Sequence, residues 1–189
     1  MSEPPNLQYP IGKCEHPETL TTEERSIAID ILAALPQQLA TAIDGLNDAQ
    51  LNTPYRPDGW TIRQLVHHIA DSDLTAYSWM RLSLTEDWPT VFDYNPASLA
   101  ELPDSALSPF ISLQLLECLH QRWVTTLRAI PESDWATRGY IHPESGRCTL
   151  EQTLAMYAWH SRHHLAHILN YRNTTKPAPP QANLARLVY

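Results

Sequence analysis

Thr149-Leu150-Glu151-Gln152-Thr153-Leu154-Ala155-Met156-Tyr157-Ala158-Trp159-His160-Ser161-Arg162-His163-His164-Leu165-Ala166-His167-Ile168 reads as one long amphipathic helix. Thr149 and Gln152 make a capping box, and Leu150, Leu154, Tyr157, Leu165 and Ile168 fall on one side. A helix with one apolar side needs partners, and three earlier segments offer them. Thr21 and Glu24 cap a first helix in which Ile27, Ile31, Leu35, Leu39 and Ile43 recur every four residues. Pro36 falls inside that run, so a kink or a break into two pieces is expected there. Thr61 and Gln64 cap a second helix with Ile62, Leu65, Ile69, Ala76 and Met80 on its stripe. The third is marked by Leu116, Leu119, Trp123, Leu127 and Ile130.

Between the second and third helices, Pro89, Pro96 and Pro103 interrupt a connection from about Asp87 to Ser108, which reads as a long crossover. No segment carries a strand pattern. The sum is an all-α four-helix bundle in a single domain, 1–189. Residues 1–20, with Pro4, Pro5, Pro10 and Pro17, are expected as an extended surface arm, and 174–189 as a Pro-rich, non-helical tail.

Composition narrows the function. The chain of 189 residues has 13 Lys and Arg against 21 Asp and Glu, a net charge of −8, and no basic run, which disfavours nucleic acid as a partner. No uninterrupted apolar window reaches the roughly 18 residues of a membrane span, and Met1 to Leu20 lacks a secretory pattern. Cys14, Cys118 and Cys148 are odd in number and have no C-x-x-C spacing, so a reducing cytoplasm is expected.

The nine histidines are unevenly placed: four fall within residues 160–167, and His67 and His68 sit on the second helix. Two His at i and i+4 share a helix face and can chelate one ion. The last helix offers His160/His164 and His163/His167. On a wheel, the first pair lies about 75° from the apolar centre and the second about 135°, which places the second pair toward water. On the second helix His68 lies about 95° away and His67 about 165°. His68, His160 and His164 thus share a flank where two helices can face each other. Three neutral imidazoles there would hold a divalent ion with coordination positions left open. His67, His163 and His167 are expected in solvent. Asp71, three residues after His68, is a candidate to orient that ring or to act as general base. His142 and Glu144 stand on the loop before the last helix, within reach of a cleft. Ser161 follows His160 where a zincin protease has Glu, so that chemistry is unsupported.

The segment from Pro54 to Ser72, which contains Trp60-Thr61-Ile62-Arg63-Gln64-Leu65-Val66-His67-His68, resembles the second-helix signature of the DinB-like superfamily, and more closely its YfiT-type metal-dependent hydrolases. Tyr157 to Ile168, Tyr9-Pro10-Ile11-Gly12-Lys13 and Arg81 to Glu86 are also similar to that group. The resemblance implies an up-down-down-up bundle and one zinc or nickel ion on His68, His160 and His164. It also implies a cytoplasmic homodimer acting on a small-molecule substrate. Some DinB-like members transfer small thiols to electrophiles, so a thiol cosubstrate is the alternative to hydrolysis, and a non-catalytic metal-binding bundle is a third reading. Arg162 between the ligands departs from the family motif and places a cation beside the site or in solvent.

Overall fold

The computed structural model describes residues 6–15, 17 and 19–175. Four long helices carry the molecule: α1 (Thr22–Ile43), α3 (Ile62–Thr85), α5 (Pro109–Arg128) and α6 (Leu150–Thr175). Short helices α2 (Asp48–Leu51) and α4 (Pro96–Leu99) lie in the connections, with 3-10 turns at Pro103–Ala106 and Glu132–Asp134. Residues 176–189, most of the expected tail, lie outside the described residues, as do 1–5, 16 and 18 of the arm.

All three sequence-read capping boxes form, on Thr21, Thr61 and Thr149. Two buried clusters set the helix directions. One joins Ile29 and Leu32 of α1, Tyr77 and Met80 of α3, Trp123 and Leu127 of α5, and Leu150 and Leu154 of α6. The other joins Leu39 and Ile43, Ile62 and Leu65, Leu113 and Leu116, and Ile168 and Tyr171. The start of α1 therefore meets the ends of α3 and α5 and the start of α6, which is an up-down-down-up bundle. Parallel α3 and α5 require the long crossover of residues 86–108. By length and composition alone α1 could also span a membrane, but Leu32, Leu35 and Leu39 are buried in the bundle.

Three expectations need correction. First, α1 runs unbroken through Pro36, and its stripe is rotated, with Ile27 54% exposed and Ile29 and Leu32 buried. Pro36 has no N–H for the Leu32 carbonyl. His120 of α5 repairs the gap, its Nδ1–H donating to that oxygen at 2.6 Å. Second, a short hairpin is present, β1 (Gly139–His142) with β2 (Gly146–Thr149), antiparallel in the register Gly139↔Thr149 to His142↔Gly146. Four-residue strands are too short to show a period of two, and the tight return depends on Gly146 at φ +73°. Third, the N-terminal arm is not extended throughout. It folds into turns closed by Tyr9 N–H to Asn6 O and Gly12 N–H to Tyr9 O, and it packs on α6.

Candidate metal centre and its cavity

α3 supplies His68 and α6 supplies His160 and His164, and each offers a ring nitrogen within 4.8 Å of the others. The two α6 rings stand edge to face with Nε2 atoms 3.1 Å apart. The His68 ring centre lies 5.4 Å from that of His160 and 5.0 Å from that of His164. Trp60, held just ahead of the α3 cap, packs with its ring centre 4.6 Å from that of His68. Burial pushes His68 down to about 4. Burial, reinforced by the neighbouring imidazoles, holds His160 and His164 well below the usual histidine range. Neutral imidazole is the form that ligates metal. Three neutral rings from two helices, two with their Nε2 atoms turned on each other, fit a borderline divalent ion.

A cavity of about 540 Å³ opens beside this trio. His68, Ser72, Tyr157 and His160 form its metal-side end, Trp79, Tyr94, Tyr140 and Met156 line its body, and the hairpin brings His142, Arg147 and Cys148. Tyr157 is buried, which raises its phenol far above the ordinary tyrosine value, and its hydroxyl donates to the Ser72 carbonyl at 3.3 Å. Of the two loop candidates, His142 lines the cavity and Glu144 does not. The His142 Nδ1 accepts the backbone N–H groups of Glu144 (3.2 Å) and Ser145 (3.3 Å), so its Nε2 carries the proton and faces Asp93 at 3.5 Å.

The other histidines depart from expectation. His163 and His167 are buried, because the arm supplies cover that a helix wheel cannot anticipate. Trp159 stacks on His163 at 4.4 Å and donates its indole N–H to the Gly12 carbonyl. His167 donates from Nε2 to the Leu7 carbonyl at 3.1 Å and packs 4.3 Å from Tyr55. With His164 these two also bring ring nitrogens within 4.8 Å, but Arg56 beside them disfavours added positive charge. His67 is buried too: Ser112 Oγ lies 2.7 Å from its Nδ1, and its Nε2 donates to the Leu107 carbonyl at 3.1 Å, tying α3 to the start of α5.

Asp71 does not take the place expected of it. Its carboxylate makes no hydrogen bond to His68 among the described residues and does not line the cavity; the charges that bear on it are Asp104 and His67. One helical turn of separation shares a face only approximately, and here that face divides between the cavity and the 3-10 turn. Arg162 is exposed and also stays out of the cavity. Sequence reading missed one polar pair altogether. Asp73 of α3 is fully buried, with Oδ2 2.9 Å from His120 Nε2 and Oδ1 without a partner. Burial raises its pKa, and the His120 contact opposes the rise.

Comparison with known proteins agrees with this arrangement. The DinB superfamily model matches residues 31–168. The chain belongs to the DinB superfamily. A Bacillus pumilus protein named "Putative metal-dependent hydrolase" is 48% identical over 164 residues, 86% of this chain and 93% of that protein. Bacillus subtilis YfiT, which carries the same description, is 43% identical over 165 residues, 86% of this chain and 92% of its own. The solved YfiT structure superposes with a TM-score of 0.86 at 42% identity, covering 89% of this chain and 97% of that one. It is described as "a probable metal-dependent hydrolase with an unusual four-helix bundle topology".

Proposed function

We propose that this DinB-superfamily protein is a metal-dependent hydrolase of a small molecule, with one divalent ion, zinc or nickel, held by His68, His160 and His164. The observation that carries the reading is the pairing of three neutral imidazoles with an adjoining cavity of about 540 Å³. Three protein ligands leave coordination positions open, whereas structural zinc closes with four. The ion, when bound, supplies Lewis-acid chemistry at those positions. The protein does the rest. Trp60 packs on His68, Tyr157 closes the cavity end with its hydroxyl tied to the Ser72 carbonyl, and Trp79, Tyr94 and Tyr140 hold an apolar body against the site.

One observation favours thiol transfer as the second reading. Asp71 lies off the cavity and Asp93 faces His142, so among the described residues no carboxylate stands beside the three histidines to serve as base. A metal-held thiolate needs none. Metal-loaded protein should turn over members of an ester and amide panel without thiol. Turnover that appears only with a small thiol and an electrophile would overturn hydrolysis in favour of transfer. We further propose that the protein works in the cytoplasm as a homodimer. Exposed Phe110 and Ile111 on α5, beside a groove of about 780 Å³ between α1 and α5, support self-association. Light scattering that shows only monomer at micromolar concentration would remove that reading.

A further inference from the structure

The cavity is chemically asymmetric. Its inner end is closed by the His68 and His160 rings and the Tyr157 hydroxyl, and its body is aromatic. Two formally charged side chains line it, Asp93 and Arg147. Asp93 is already engaged: its Oδ1 accepts the Tyr94 backbone N–H at 2.7 Å and faces the protonated Nε2 of His142. Arg147 has no carboxylate partner among the described residues. Its guanidinium instead lies 4.4 Å over the ring of Trp88. That contact fixes where the cation stands and leaves its N–H donors free.

Trp88 makes the contact from φ +45°, a region that bulky residues rarely occupy. The strain is sustained by the connection around it, where Pro89 and Val91 pair with Ile141 of β1. A second donor is also unmatched. Trp79, 95% buried and part of the lining, has an indole N–H with no acceptor. An oriented cation and aromatic walls call for a ligand with an anionic oxygen on a flat apolar frame.

We propose that the cavity receives a small aromatic molecule bearing a carboxylate, and that Arg147, presented by the hairpin and steadied by Trp88, selects for that carboxylate. The inference rests on the cavity being the substrate site of the proposed enzyme, yet it does not depend on whether the reaction is hydrolysis or thiol transfer. Negative substrate charge at the hairpin end leaves the uncharged end of the molecule toward His68 and His160.

The test uses a matched pair of probes, naphthalene-2-carboxylate and its neutral carboxamide, bound to metal-loaded and to metal-free protein and followed by calorimetry, so that ligation of the carboxylate by the ion is told apart from pairing with Arg147. The wild type should bind the carboxylate about tenfold more tightly, the scale of one charge-assisted hydrogen bond at an exposed arginine. Arg147→Gln should equalise the two probes, chiefly by weakening the carboxylate, and Arg147→Lys should recover part of the preference. Equal binding of the two probes by the wild type, a preference that survives Arg147→Gln, or no binding of either probe would each overturn the proposal. Because the readout is binding, it is independent of the ester and thiol panel: a failed panel with carboxylate selection intact removes the reaction and keeps the selectivity.

Discussion

At the residue scale, His160 and His164 share one environment and His163 and His167 another, although all four stand on the same two turns of helix. Their separate roles follow from what each touches. His164→Ala removes one of the three rings, and elemental analysis should show most of the metal lost. His163→Ala should keep its metal but lose about 1–3 kcal/mol of stability, because a buried ring packed between Trp159 and Tyr9 is deleted. Asp71→Asn should leave both metal content and metal affinity unchanged; a 10–100-fold loss of affinity would restore the orienting role read from sequence. The candidate ligands were legible because i, i+4 spacing and wheel angle are local properties. Burial of His67, His163 and His167 was not legible, since it comes from Leu107 and Ser112, and from Leu7, Tyr9 and Tyr55, all far away in the chain.

At the element scale, apolar periods announced all four long helices and capping boxes three of them, while α5 starts at Ser108 without a side-chain cap and was read from its period alone. The hairpin and the continuity of α1 were hidden for opposite reasons. The strands are too short to show alternation, and the proline in α1 is accommodated by a residue 84 positions later. That accommodation is measurable. His120→Ala strips a donor from the Leu32 carbonyl and leaves Asp73 buried without a partner, so it should cost about 3–5 kcal/mol in denaturant unfolding. The double variant His120→Leu with Asp73→Leu should be less damaging than His120→Ala alone, because no buried carboxyl is then abandoned. A double variant worse than the single one would mean that the pair contributes stability of its own.

At the scale of the whole molecule, burial of several neutral imidazoles ties stability to pH. His68 and His163 have folded values of about 4, and His160 and His164 are also lowered, so the unfolded chain takes up protons first as pH falls. Their contribution in the metal-free protein is complete above about pH 6.5 and is lost as pH drops through that value toward 4. Melting temperatures measured across this window should decline steadily, and a flat profile would contradict the neutral state of the rings. Added zinc should raise stability by about 2.7 kcal/mol at a hundredfold excess over its dissociation constant, a gain that His160→Ala abolishes.

The two apolar clusters meet across a belt of polar side chains: Ser72, Asp73, His120, His160 and His164. Such a belt divides a bundle into two ends that can open separately, each as its own cooperative unit. Amide hydrogen exchange on the metal-free protein would then resolve two protected islands, one around Leu32, Trp123 and Leu154 and the other around Leu39, Leu65 and Ile168. Because α3 and α6 both run through the belt, an ion clamped between His68 and the α6 pair would rivet the islands together. Occupancy of the metal site would be read far from the histidines, as two exchange rates merging into one.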